Sequence, residues 1–185
     1  MTRDRLADHS RLMATLTLLL IIGMLLLNAA CWLFPGLANE QGLGFGLTAS
    51  SVAGELGALI QDMPLWQTLG GILLSSLPLL VLAAGLLALR RLFRHYAEGE
   101  YFCEDAAASL GRVGLYLACW VLASFLLEPL LGIWMTFMQP PGQRLFTLSF
   151  DSADLVSLFA AASVMVIARI QRKAALLAEE NRQFV

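Results

Sequence analysis

Four apolar runs, each long enough to cross a bilayer, constrain this chain more than any other feature. A helix rises about 1.5 Å per residue, so about 20 apolar residues span the hydrocarbon core. Residues 12–34 are interrupted only by Thr15, Thr17 and Asn28 among polar residues, and residues 65–89 contain Ser75, Ser76 and Pro78. Residues 113–138 hold one ionised side chain, Glu128, and residues 150–168 are apolar apart from Asp151, Asp154 and three serines. Unbroken runs indicate helices, since strands of a membrane barrel alternate over about ten residues. The expected fold is all-α: one integral membrane four-helix bundle over residues 1–185, with both termini cytoplasmic. A cytoplasmic helical hairpin (90–112) and a C-terminal helical tail (169–185) complete it.

Composition supports lipid as the solvent. The chain is 58% hydrophobic and 14% charged, whereas soluble domains carry about 25% charged residues. The same figures exclude intrinsic disorder. A formal charge of -2 indicates no direct nucleic-acid partner. Cys31, Cys103 and Cys119 form no C-x-x-C pair and leave one unpaired in any scheme, so neither a disulfide framework nor a thiol-redox centre is expected.

Orientation follows from the basic residues. Arg3, Arg5 and Arg11 precede the first run, Arg90, Arg91, Arg94 and Arg112 join the second to the third, and Arg169, Arg172, Lys173 and Arg182 follow the fourth. Loop 35–64 has no Lys or Arg, and the third connection has only Arg144. With both termini inside, eleven basic residues face the cytoplasm and one faces out, as the positive-inside rule requires. The expected location is the bacterial cytoplasmic (inner) membrane, multi-pass. The first run is longer than a typical signal core, and Asn28 sits where a lipoprotein cleavage site wants a small aliphatic residue, so it is retained as an anchor.

Outside the hydrocarbon, loop 35–64 is glycine-rich, and its G-x-G-x-G run follows no buried strand and is no nucleotide fingerprint. Val52, Leu56, Leu59, Ile60 and Met63 recur at helical spacing, as an interfacial helix or as a cap on the bundle. In the hairpin, the second helix is expected to run to about Tyr96 and to end at Gly99 in the left-handed conformation. Tyr96, Tyr101 and Phe102 supply interfacial aromatics, and Glu104 and Asp105 open the next helix with negative charge at its positive end. His95 and Cys103 lack further ligands, so no metal is expected. In the tail, Ile170, Ala174 and Leu177 form an apolar stripe suited to lipid, to a partner or to the hairpin.

These features resemble a bacterial membrane family catalogued as domain of unknown function 2975. The resemblance is carried by Leu92-Phe93, Gly99, Phe102, Glu104 and Leu110-Gly111-Arg112-Val113-Gly114, and by Ala174-Ala175-Leu176-Leu177 with Glu179-Glu180-Asn181. Cys103 departs from the family's usual Ser or Thr helix cap. The resemblance implies a membrane partner for a small cytoplasmic helix-turn-helix regulator, because members often lie beside such a gene. It implies no reaction and no cofactor. Docking would fall to Tyr96, Gly99, Tyr101, Phe102 and Glu104 of the hairpin and to Arg172, Lys173, Glu179, Glu180 and Asn181 of the tail.

Within the membrane, rise per residue places Glu128 and Ser75 about 15 Å, and Asn28 about 9 Å, from the outer ends of their spans. Asp154 lies about one turn into the fourth. An ionisable group facing lipid costs at least about 2.5 kcal/mol, so Glu128 is expected to point inward. Asn28, Ser75, Ser76, Glu128 and Asp154 then form an intramembrane polar layer. It either fixes helix register, with Glu128 protonated or hydrogen-bonded, or lines a pocket for a cation, proton or cationic amphiphile. The expected activity is non-enzymatic: sensing or regulation. The alternative is a small transporter or channel subunit with Glu128 in its pathway, although no internal repeat is evident. Gly114 and Ala118, Gly71 and Ser75, and Ser157 and Ala161 are small-residue pairs suited to close helix approach within the chain, and nothing in them requires a homodimer.

Overall fold

In hydrocarbon no water is present to bond a backbone N–H or C=O, so each apolar run must close its own hydrogen bonds as a helix. A computed structural model describes residues 2–34, 64–99, 103–138 and 152–183, with side chains between residues 7 and 177. Among the described residues there are four helices and no strand: α1 (Thr2–Leu33), α2 (Leu65–Glu98), α3 (Glu104–Met135) and α4 (Ser152–Gln183). All four are long and apolar enough to cross a membrane, the pattern of a multi-pass membrane protein. At 32 to 34 residues each, they are about 50 Å long and outreach the hydrocarbon core of about 30 Å. The apolar stripe expected at Val52–Met63, and Tyr101 and Phe102, lie outside the described residues. So do the side chains of Glu179, Glu180 and Asn181.

Helix ends follow local chemistry. Gly99 ends α2 at φ 86°, with its N–H donating to the Tyr96 carbonyl at 3.2 Å. This is the left-handed glycine stop read from the sequence. Cys103 occupies the cap of α3: its Sγ accepts from Ala106 N–H at 3.3 Å, and its carbonyl accepts from Ala107 N–H at 3.3 Å. The thiol thus stands in for the usual hydroxyl cap and preserves the turn, with Glu104 and Asp105 in the first turn. Pro78 and Pro129 lie inside continuous helices.

Four hydroxyls inside or beside the apolar runs bond to their own helices. Thr15 and Thr17 donate at 2.7 Å to the carbonyls of Leu12 and Met13. Ser163 donates to Phe159 at 2.9 Å, and Thr136 to Gly132 at 2.8 Å. A hydroxyl bonded in this way can sit in lipid without a second helix.

Burial repeats at heptad spacing. On α3, Ala107, Gly114, Val121, Glu128 and Met135 are buried, seven residues apart, while Leu115, Leu122, Leu126 and Ile133 are exposed. On α4 the buried residues are Ala161, Ala168 and Ala175, again at intervals of seven. A repeat of seven keeps one stripe of a helix inward along its length.

The chain divides into two units. Unit 1 comprises Met1–Ile22, Val81–Cys119 and Ala153–Val185, and unit 2 comprises Gly23–Leu80 and Trp120–Ser152. In unit 1, α3 and α4 approach through small residues. A Cβ on Gly114 would lie 2.7 Å from Met165 Cγ and 2.9 Å from the Ala161 carbonyl oxygen, so only glycine permits this approach. One turn away, a Cβ on Gly111 would meet Ala168 Cβ at 3.6 Å, an ordinary contact. Gly114→Ala is therefore expected to lower unfolding stability in detergent by about 1–3 kcal/mol through overpacking. Gly111→Ala should match or slightly exceed wild type, because alanine is the better helix former by about 1 kcal/mol. Thermal unfolding of the pair checks both signs.

Candidate functional site

Asn28 and Trp32 lie one turn apart on α1, and both reach α2 within unit 2. The Asn28 amide nitrogen donates to Ser75 Oγ at 3.1 Å and to Ser76 Oγ at 3.2 Å. Trp32 Nε1 donates to Ser75 Oγ at 3.0 Å. Both serines in turn donate to the Ile72 carbonyl, at 3.2 and 2.6 Å. Ser75, 2% exposed, therefore accepts two bonds and donates one, which fills the capacity of a hydroxyl.

Four residues back from Gly71, Gln67 is 2% exposed and joins α2 to α3. Its Nε2 donates to the carbonyls of Trp134 and Met135 at 2.9 and 3.1 Å, while Trp134 Nε1 donates to the Gln67 carbonyl at 2.9 Å. The amide thus caps carbonyls of the last turn of α3, where Trp134 otherwise receives only the Phe137 N–H at 3.4 Å. Trp66 meets Trp134 edge-on, with centroids 5.9 Å apart and rings at 84°.

Two adjacent glycines make room for the two indoles. Gly70 packs under the Trp134 ring and Gly71 under the Trp32 ring, so closely that a Cβ at either position would enter the ring. The sequence pattern Gly71/Ser75 suggested a close backbone approach. The structure instead places a tryptophan ring on Gly71, because the glycine lies where Trp32 must turn its Nε1 toward Ser75.

Gln67 opposite Trp134 sets α2 and α3 antiparallel, which puts the Ser75–Ser76 step level with Phe125–Leu126. Glu128 lies within a turn of that level and is 8% exposed, so it points inward as expected. On the same flank of α3, one and two turns before it, Ser124 Oγ and Trp120 Nε1 are buried with no hydrogen-bond partner among the described residues. Asp154, half-buried near the start of α4, belongs to unit 1. Of the five residues of the expected polar layer, hydrogen bonds thus join Asn28, Ser75 and Ser76, and Glu128 is buried in the same unit. Trp32, Gln67, Trp120, Ser124 and Trp134 belong to this region and were not singled out from sequence. The signal available for them was an amide and three indoles inside apolar runs, each needing a partner.

The expected docking residues lie in unit 1. Arg172 on α4 donates through Nε to Glu104 Oε1 at 3.0 Å and also through Nη2, tying the tail to the first turn of α3. Both side chains are more than half exposed, so the pair contributes about 0.2–1 kcal/mol. Tyr96 is half-buried and Lys173 exposed. Of the tail stripe, Ile170 and Leu177 remain exposed. Among the described residues no three of His, Cys, Asp and Glu gather as metal ligands.

Ser75→Ala is expected to destabilise the protein by about 1–3 kcal/mol, since it strands the buried Trp32 Nε1 donor, while Asn28 keeps Ser76 as acceptor. Ser76→Ala, which leaves Ser75 to accept from Asn28, should cost less. Thermal unfolding in detergent ranks the two, and equal losses would contradict the central place of Ser75.

Residues 6–184 match a family model described as protein of unknown function (DUF2975). Neither a curated protein nor a solved structure matches the chain.

Proposed function

From the premise that the chain belongs to the DUF2975 family, we propose that it is a non-enzymatic protein of the bacterial inner membrane, with both termini cytoplasmic. In this reading it senses or holds a small group within the membrane and modulates a cytoplasmic partner, such as a small helix-turn-helix transcription regulator. The observation that carries the reading is the flank of α3 that bears Trp120, Ser124 and Glu128: a buried carboxyl side chain and, one and two turns before it, two buried donors without partners among the described residues. An ionisable side chain inside hydrocarbon is costly and marks function more often than packing. Unmet donors beside it leave hydrogen bonds for a bound group to complete.

The ion pair between Glu104 and Arg172 supports the docking half of the proposal. It joins hairpin and tail into one surface on which Asp105 and Lys173 stay exposed. Glu104 and Glu128 share one continuous helix, α3, so a group bound near Glu128 would act on the helix that carries half of the pair. Transport is the second reading, favoured by the same burial of Glu128. Proteoliposome flux abolished by Glu128→Ala would select it over sensing.

Two measurements test the primary reading. Glu128→Gln, at normal abundance, should abolish the ligand- or pH-dependent change in output of the neighbouring regulator, and an unchanged response overturns the intramembrane site. Arg172→Glu should weaken capture of that regulator about two- to five-fold, the worth of an exposed pair. The swap with Glu104→Arg should restore it. Full capture after deletion of residues 169–185, in a protein that still inserts, overturns the docking surface.

A further inference from the structure

The apolar stripe of the tail turns away from its own chain. Ile170 and Leu177 are 62% and 61% exposed, and Ala174 between them is exposed as well. Lipid does not reach the far end of this stripe. Arg169, Arg172 and Lys173 mark where α4 leaves the hydrocarbon, and the headgroup layer adds only about 5–8 Å on each side. Leu177 lies eight residues past Arg169 on the same continuous helix, about 12 Å further out. An apolar face held in water is stabilised by meeting another apolar face.

The stripe does not begin in the tail. Counting back by sevens from Ala174 reaches Ile167, Ala160 and Ala153. Counting back from Leu177 reaches Ile170, Ser163 and Val156. All of these are exposed except Ser163, which is half-buried and donates to the Phe159 carbonyl of its own helix. None is charged, although α4 carries Asp154, Arg169, Arg172 and Lys173 on its other sides. This is the a and d pattern of a coiled coil, with Ala174 at a and Leu177 at d. It is separate from the stripe that packs within the chain: Ala161, Ala168 and Ala175 each follow an a residue by one position and stand about 130° round the helix from the middle of the seam.

Length and medium decide what fits the seam. From Ala153 to Leu177 it runs about 37 Å, out of hydrocarbon and into water. A soluble protein would reach only the tail end of it, and lipid only the membrane part. A helix that crosses the membrane and continues beyond it, with a matching heptad stripe, covers the whole. The α4 of a second copy has these properties. Two copies inserted the same way around a two-fold axis along the membrane normal set their α4 helices parallel, each position opposite itself. The residues suit both media. In lipid, where apolar area gives no drive, Ala153 and Ala160 let the backbones approach. In water, Ile170 and Leu177 supply apolar area. The sequence puts Asn181 at the next a position, and a single asparagine at such a position fixes the register and number of strands. We propose that the chain forms a parallel homodimer along this face of α4.

The test uses the full chain, with its three native cysteines replaced by serine, in phosphatidylethanolamine–phosphatidylglycerol vesicles at low protein-to-lipid ratio. With copper–phenanthroline as oxidant, Ala160→Cys and Ala174→Cys should cross-link as dimers. Ala162→Cys and Leu176→Cys, on another side of the same helix, should remain monomeric on a denaturing gel. Fluorophore photobleaching should occur in two steps. Leu177→Glu sets like charges face to face outside the bilayer and should raise the dimer dissociation constant at least about ten-fold. The neighbouring Leu176→Glu should leave it at the wild-type value, and thermal unfolding of each variant identifies any that fails to fold. Four results overturn the proposal: monomers throughout, which means lipid faces the seam; equal cross-linking at positions 160 and 162, which means random collision; three or more bleaching steps; or, in cells, a cross-link from Ala174→Cys to a different protein without a dimer.

Discussion

Hydrocarbon gives two apolar helices no reason to prefer each other over lipid. What associates the helices of this protein must therefore be close contact, which small residues permit, and hydrogen bonds, which polar residues supply. Each unit relies on a different mixture of the two. In unit 1 the approach of α3 to α4 rests on Gly114 beneath the Ala161 carbonyl, with Ala161, Ala168 and Ala175 as the buried stripe. In unit 2 two indoles seat on Gly70 and Gly71, and each directs its N–H to an acceptor on α2.

The indole and amide arrangement of unit 2 does more than hold helices together. Trp32 and Asn28 converge on Ser75, while Gln67 and Trp134 exchange hydrogen bonds. Each polar group there closes the valence of another, which makes the arrangement specific, since a shift of one residue would strand several donors at once. Against this background Trp120 and Ser124, whose buried donors meet no partner among the described residues, stand out, and they fall on the flank of α3 that carries Glu128. The proposed function rests on that contrast between a completed network and an incomplete one within the same unit.

Unit 1 shows a comparable contrast in its charges. Arg172 meets a carboxylate of its own chain, whereas Arg90 Nε meets none among the described residues. The first is an exposed pair between helices and contributes little to stability, so its value lies in setting the position of the tail. The second is a covered donor on a half-buried side chain.

Much of the architecture was legible in the residues. Long apolar runs specify helices because lipid cannot bond a backbone, and Gly99 specifies a stop because only glycine adopts φ 86° without strain. The inward placement of Glu128 followed from the cost of a carboxyl group in lipid. Similar depth along different helices placed Asn28, Ser75 and Ser76 in one polar layer, with Glu128 as their expected partner; the direct bonds from Asn28 to the two serines were not foreseen. Partner choice was not legible. That Gly71 receives an indole and Gly114 a carbonyl, that Gln67 caps α3, and that Arg172 takes Glu104 while Arg90 Nε takes no described residue all depend on which faces of separate helices meet. Periodicity and length are properties of one helix, so the sequence by itself determined spans and helix ends, whereas the stripe that turns inward on α4 (Ala161, Ala168 and Ala175) is not the one read from it (Ile170, Ala174 and Leu177). Facing side chains are a property of two helices in contact, and only the tertiary structure decided those.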